Sequence, residues 1–255
     1  MDNLEGKVAV VTGASQGIGR AIAERLGRDG ATVAVNFIAD REKADDVVQS
    51  ITSAGGKAIA IEGDVRNSEA VRDVFASVEK QVGQPDIVVA NAGVNMNKLV
   101  IDTTDEDFEH IFSVNARGTF FVLREAARRV QDDGRIIAIS TNFTIQPRSG
   151  IALYAASKAA VEQFVKILAR ELGARRIAVN AVAPGPTDTS MVSTLSRNTA
   201  PAATPFGRLG KPNDIANAVA LLASADAAWI NGQILGADGG AWLGWSAPSR
   251  TASAT

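Results

Sequence analysis

The 255-residue sequence predicts an α/β fold, a doubly wound parallel sheet with helices on both faces. Three observations point there. Short continuous apolar runs recur along the chain, longer amphipathic stretches lie between them, and a glycine-rich turn follows the first run. Unbroken apolar strands are buried on both faces, as in a parallel sheet whose crossover helices cover each side.

The elements follow in order. Val8 to Val11 is the first strand, and Thr12-Gly13-Ala14-Ser15-Gln16-Gly17-Ile18-Gly19-Arg20 opens a helix near 17–28 through Ala21, Ile22, Ala23 and Leu26. Thr32 to Phe37 is the second strand, and Asp40 stands where it would cap a helix near 41–54. Further strands are expected at Ala58 to Ile61, Ile87 to Ala90, Ile136 to Ile139 and Ile177 to Val182. Helices are expected near 68–82, 105–130, 152–172 and 213–223. From Thr187 to Lys211 the pattern breaks into Ser, Thr, Pro, Asn and Gly around Met191, Val192, Leu195 and Phe206. A loop that long in a compact domain is usually functional, and this one reads as an apolar substrate lid over 187–211. No linker divides residues 1–190, so one domain over 1–245 is expected, with a flexible tail at 246–255. Trp242 and Trp245, just before that tail, would need cover.

Composition removes several classes of function. The chain is 46% hydrophobic and 21% charged with a formal net charge of -2, which gives no basic excess to attract nucleic acid. It has no cysteine and one histidine, His110, so disulfides, thiolate sites and multi-histidine metal clusters are excluded. His110 sits amid Asp105, Glu106, Asp107 and Glu109, the setting of a solvated helix face. Met1 to Lys7 lacks the basic and apolar regions of a signal peptide, and no apolar run reaches membrane-spanning length, so a cytoplasmic protein without a membrane partner is expected.

The one tyrosine, Tyr154, stands four residues before Lys158 in a segment with Val161, Phe164, Val165 and Leu168 at helical spacing. A phenol then lies one turn from an ammonium. A fixed positive charge favours the phenolate and brings proton transfer toward neutral pH. The glycine turn after the first strand suits a different task. It lets a pyrophosphate approach the backbone and aims helix N-terminal amides at its charge. Its first two glycines are separated by three residues, unlike the general dinucleotide fingerprint.

That spacing has a match elsewhere. Thr12-Gly13-x-x-x-Gly17-x-Gly19, Asn91-Ala92-Gly93, Tyr154-x-x-x-Lys158 and Pro184-Gly185, with Asn180-Ala181-Val182-Ala183, Asn231-Gly232-Gln233 and Asp238-Gly239-Gly240, resemble the classical short-chain dehydrogenase/reductase family over about residues 5–240. Ala90 departs from the pattern, since the family often has a second asparagine there. The resemblance implies a single-domain Rossmann fold of about seven strands and an oxidoreductase moving hydride between a nicotinamide cofactor and a carbonyl or secondary alcohol. It implies Tyr154 as acid/base, Lys158 lowering the phenol pKa and bonding the nicotinamide ribose, and Asn115 holding a water near the lysine. The family serine that bonds the substrate oxygen falls, by a spacing of 13 residues back from Tyr154, on Thr141, while Ser140 lies one residue earlier. Side chains alternate along a strand, so only one should face the site; spacing favours Thr141.

For the cofactor the resemblance implies Gly13, Ser15, Gln16, Gly17, Ile18 and Gly19 at the phosphates, Asp64 and Val65 at the adenine, and Asn91, Ala92 and Gly93 after the fourth strand. It also implies Pro184, Gly185 and Thr187 at the nicotinamide, beside Tyr154 and Lys158. Selection between NAD and NADP belongs to the end of the second strand, Val35-Asn36-Phe37-Ile38. Phe37 stands where an NAD-selecting carboxylate would align, and Arg41 could meet a 2'-phosphate. Gln16 argues the other way, because NADP enzymes of the family often have a basic residue there. NADP(H) is favoured over NAD(H), with Asn36 and Arg41 as contacts.

Two other readings remain open. One is a 3-oxoacyl-carrier-protein reductase, with Arg128, Arg129, Arg175 and Arg176 available to an acidic carrier. The other is a redox sensor or regulatory protein that binds dinucleotide without turnover; such relatives tend to lose the tyrosine-lysine pair that this chain keeps. Helices near 105–130 and 152–172 could pair across a two-fold axis, and the family implies a homo-oligomer, commonly a tetramer.

Overall fold

The computed structural model describes residues 4–191, 197–199 and 204–244. Seven parallel strands form one sheet, β1 (Val8–Val11), β2 (Thr32–Phe37), β3 (Lys57–Glu62), β4 (Ile87–Ala90), β5 (Arg135–Ile139), β6 (Ala178–Pro184) and β7 (Ile234–Ala237), in the order β3-β2-β1-β4-β5-β6-β7. The helices are α1 (Gly17–Arg28), α2 (Arg41–Ser53), α3 (Ser68–Gln81), α4 (Asp105–Phe112), α5 (Thr119–Arg129), α6 (Ala152–Glu171) and α7 (Pro212–Ala223).

Alternate residues of each strand feed opposite layers. Ile137 and Ile139 of β5 pack with Ile22 and Leu26 of α1 and Ile215 and Val219 of α7. Ile136 and Ala138 pack the other way, with Phe75 of α3, Leu123 of α5 and Val161 and Val165 of α6. Burying a side chain of this size is worth roughly 1.5–3 kcal/mol, so the alternation pins strand register and decides where each residue beyond a strand end points. The chain order reverses between β1 and β4, which opens a crevice at the carboxyl edge where such sheets hold ligands.

Two elements differ from the sequence reading. The helix expected through 105–130 is interrupted, because Ser113–Gly118 winds as a π-helical turn between α4 and α5. Buried Asn115 lies in it and bonds the loop after β4, a tertiary demand that periodicity does not register. β7 is absent from the apolar runs, since none of its four residues Ile-Leu-Gly-Ala is fully buried and they are too few to signal a strand. It is recruited by pairing with β6, from Ala181 opposite Ile234 to Pro184 opposite Ala237.

Val192 and Leu195 of the expected lid, Trp245 and the expected tail 246–255 lie outside the described residues. Met191 and Phe206 toward the two ends of the lid are exposed, as is Trp242. His110 is on the solvated face of α4. Among the described residues no helix is long and apolar enough to cross a membrane, and no cluster of His, Cys, Asp or Glu could hold a metal ion.

Candidate active site

The turn after β1 is built around close approach. Gly13 has φ +60°, and a Cβ on Gly19 would fall 2.3 Å from the Gly13 carbonyl oxygen, so the turn closes only with glycine there. Thr12 ties it to the neighbouring strand end: its hydroxyl accepts from the backbone N–H of Asn91 (3.0 Å) and of Ala92 (3.1 Å). Asn91 answers with its side-chain amide, which donates to the carbonyls of Thr12 (2.8 Å) and Gly13 (3.1 Å). Gln16 occupies the N-cap of α1 without a side-chain capping bond, and no acidic residue lies in the first turn. The first amides of α1 therefore have neither an intrahelical partner nor a capping side chain, which is a fit for an anion.

Beyond the turn lies a cavity of about 590 Å³. It gathers Ile18, Asn91, Gly93, Ser140, Thr141, Tyr154, Lys158, Pro184, Gly185 and Thr187 from the residues expected at the site. Gly93 keeps its floor open, since a Cβ there would sit 3.2 Å from Lys158 Nζ and 3.3 Å from Asn115 Oδ1. The far end is lined by Val94, Asn95, Met96 and Asn97 after β4, by Phe143, Gln146, Pro147, Arg148 and Ile151 after β5, and by Met191.

Helix α6 presents Tyr154 and Lys158 on one face, one turn apart. Lys158 Nζ donates to the Ile139 carbonyl at 2.8 Å, and its burial lowers the ammonium from the ordinary 10.5 to about 8. Burial raises the Tyr154 phenol above its ordinary 10.0, and a side-chain hydrogen bond with Thr141 acts in the opposite direction. Burial is the larger of the two effects.

Thr141 and Ser140 both line the cavity but have different partners. Ser140 continues the β5 face toward α6, where its hydroxyl donates to Glu162 Oε1 at 2.6 Å. Thr141, on the alternate side, is the residue that meets the phenol. Asn115 is fully buried, with Oδ1 accepting from Val94 N–H (2.8 Å) and Nδ2 donating to the Val94 carbonyl (2.9 Å) and Ser157 Oγ (3.1 Å). Both of its amide hydrogens are committed within the protein, so its side chain braces the loop rather than donating to a water.

The end of β2 holds no free carboxylate. Phe37 is buried, and Asp40 caps α2 by accepting from Lys43 N–H while pairing with the Lys43 ammonium at 2.5 Å. Arg41 is exposed, with its guanidinium over the Phe37 ring and 3.3 Å from Asp45. The Asn36 side chain is directed away from this surface: it is buried and donates to the Ile61 and Gly63 carbonyls, because its side of β2 faces β3 and the turn that follows. Only its carbonyl reaches the glycine turn, accepting from Ala14 N–H at 2.9 Å. Asp64 is engaged by Arg66, which holds its carboxyl below the usual range, and Val65 is buried. The Thr187 hydroxyl donates to the Gly185 carbonyl at 2.9 Å. Ser15, Gln16 and Gly17 lie in the turn outside the cavity lining, with Gly17 facing Thr189.

Sequence reasoning passed over Glu162, although its spacing of four from Lys158 on one helix face was a usable signal. It also passed over the loop residues 94–97 and 143–148, which have no motif of their own.

A family model described as enoyl-(acyl carrier protein) reductase matches residues 13–241. Versicolorin reductase 1 of Aspergillus parasiticus is 42% identical, over 94% of this chain and 97% of its own. The crystal structure of the angucycline C-6 ketoreductase LanV with bound NADP has a TM-score of 0.90 at 40% identity, covering 95% of this chain and 98% of that one. A short-chain dehydrogenase from Burkholderia cenocepacia J2315 in complex with NADP has a TM-score of 0.90 at 39% identity, covering 94% and 99%. With the seven-stranded parallel sheet and the motifs along it, these likenesses establish that the chain belongs to the short-chain dehydrogenase/reductase family and is an NAD(P)-dependent oxidoreductase.

Proposed function

We propose that the protein is an NADP(H)-dependent reductase of a carbonyl compound, or in reverse a secondary-alcohol dehydrogenase, with Tyr154 as the general acid/base. The observation that carries this is that Tyr154, Thr141 and buried Lys158 line one cavity, with the Thr141 hydroxyl near enough to the phenol to oppose the effect of its burial. NADP(H) when bound supplies or accepts the hydride.

The chain's own residues handle the proton. The Thr141 hydroxyl and the Tyr154 phenol converge where a substrate oxygen would be held. The raised phenol keeps its proton at neutral pH, ready to give it to a carbonyl oxygen. Lys158, still cationic below about pH 8, favours the phenolate left after that transfer. Asn115 fixes the loop after β4 and with it the cavity floor at Gly93. The residues that would hold the dinucleotide are the glycine turn from Gly13 to Gly19 with Ser15, Gln16 and Ile18, then Asn91 to Gly93, with Asp64 and Val65 farther along and Pro184, Gly185 and Thr187 across the crevice.

NADP(H) is preferred in this reading because no free carboxylate stands at the end of β2 while Arg41 does, and because two structural relatives were crystallised with NADP. A partly hydrophobic carbonyl substrate suits the far end, where Val94, Met96, Phe143, Pro147, Ile151 and Met191 alternate with Asn95, Asn97 and Gln146. Relatives named for reduction of versicolorin and for an angucycline at C-6 agree with a ketone. The 3-oxoacyl-carrier-protein reading has less support, since the relatives compared above are named for reduction of versicolorin and of an angucycline and not of a carrier-bound acyl group. The catalytic unit in this reading spans 1–245, with 187–211 as its lid. Exposed Phe108, Phe120 and Ile167 on α4, α5 and α6 favour self-association through those helices.

The test is NADPH oxidation across a panel of aromatic and aliphatic ketones with Tyr154→Phe as control. Turnover by the wild type, a loss of at least about 1,000-fold in the variant and unchanged NADPH affinity are expected. A variant as active as the wild type would overturn the assignment.

A further inference from the structure

Three successive turns of α6 address three successive residues at the end of β5. Tyr154 lines the cavity with Thr141, Lys158 donates to the Ile139 carbonyl, and Glu162 receives the Ser140 hydroxyl at 2.6 Å. Glu162 has a second donor in Thr144, whose hydroxyl reaches the same Oε1 at 2.8 Å and the Thr141 carbonyl at 3.0 Å. Ser140, just before Thr141, and Thr144, three residues after it, are therefore drawn to one carboxylate oxygen.

A carboxyl group buried against a strand end is costly unless it is hydrogen-bonded, and Glu162 is buried. Two hydroxyls face its Oε1, Ser140 at 2.6 Å and Thr144 at 2.8 Å, with Thr144 sharing its single hydrogen with the Thr141 carbonyl. What they hold in place is the short turn Asn142–Thr144 that begins just after Thr141, on which Thr141 is the capping residue. Ser140 fixes the strand end before Thr141, and Thr144 fixes the turn after it. The hydroxyl between them has little freedom to leave the phenol.

We infer that Glu162 is a positioning residue for the reaction, acting through Ser140 and Thr144 to hold the Thr141 hydroxyl against Tyr154. Glu162 itself does not line the cavity and touches no reacting atom. This rests on the proposed acid/base reading, and the same assay separates the two.

The experiment compares single-turnover ketone reduction, enzyme in excess, for Glu162→Gln, Glu162→Leu and the double variant Ser140→Ala/Thr144→Val, with NADPH affinity measured by fluorescence titration. Each is made with Thr141 and with Thr141→Val. Glu162→Leu and the double variant are expected to lose at least about tenfold in rate with NADPH affinity within about twofold, and Glu162→Gln, which keeps an acceptor oxygen, to stay within about threefold. With Thr141→Val in place, the further loss from Glu162→Leu should shrink below about threefold, because the hydroxyl it positions is gone. An equal loss in both backgrounds, or no loss with Thr141 present, overturns the inference. Should Glu162→Leu not fold, the double variant, which leaves α6 untouched, decides. If Tyr154→Phe retains full rate, it is the acid/base reading that falls.

Discussion

The hydroxyls of Ser140 and Thr141 are adjacent in the chain and serve opposite partners, Ser140 the buried Glu162 carboxylate on α6 and Thr141 the Tyr154 phenol in the cavity. Replacing each tests which one the substrate oxygen needs. Thr141→Val should lower kcat by about 100-fold or more, the scale of losing one donor at the reacting oxygen. Ser140→Ala should cost less than about tenfold, because Thr144 still anchors the turn to Glu162. Steady-state kinetics with one ketone read both, and the reverse ranking would move the role to Ser140.

Lys158 sets a pH limit and a stability cost. Its folded-state value of about 8 lies below the ordinary 10.5, so the ammonium is lost as pH rises through about 8 in the folded protein and later in the unfolded chain. The rate of ketone reduction should be level below about pH 7 and decline above about pH 8. Between about 8 and 10.5 the unfolded state binds more protons, so the penalty for burying the charge fades as pH rises through that window. At pH 7 the penalty is about 3 kcal/mol. Lys158→Met should therefore be inactive yet more stable at pH 7, by about 2 kcal/mol after the lost bond to Ile139, and the advantage should narrow toward pH 10. Denaturant melts at pH 7 and pH 10 would show it; a variant less stable at pH 7 would contradict it.

Asn115 has three side-chain hydrogen bonds to lose. Asn115→Ala should cost about 2–4 kcal/mol and lower Tm by about 8 °C, with the Val94 backbone left unpaired. Calorimetry checks this, and a shift under 2 °C would show that the brace is dispensable.

Arg41 bears on cofactor choice. Arg41→Ala should raise the Kd for NADPH by about tenfold and leave that for NADH within about twofold, since only the former has a 2'-phosphate to lose a charge partner. Equal effects on the two cofactors would assign Arg41 to helix α2 alone.

Much of the architecture was legible in the sequence because its signals are local. Six strands announced themselves as apolar runs, and the helices as amphipathic stretches whose ends fall within a residue or two of those observed. β7 escaped because its stability comes from β6 and not from its own four residues. The π-helical turn escaped because it answers to the Val94 backbone, a partner 21 residues away. At the site the same division holds. Tyr154 and Lys158 were readable from spacing on one helix, whereas the direction of the Asn36 side chain and the commitment of Asp64 to Arg66 depend on what packs beside each strand end. Glu162 lay between these cases, local in spacing but meaningful only once β5 is laid against α6.

The π-helical turn at Ser113–Gly118 makes the segment from α4 to α5 a compromise between a regular helix and an aimed side chain. A π turn accommodates one residue more than an α turn, and each residue advances an α-helix by about 100°. Excising a single residue on the α4 side would let the helix run straight, with every backbone bond regular, and would swing the Asn115 amide about a quarter-turn off Val94. A sequence drifting toward better helix formers at 113–118 would thus gain local stability and loosen the floor of the cavity, so that the irregularity is itself what any shortening or smoothing of this helix must preserve.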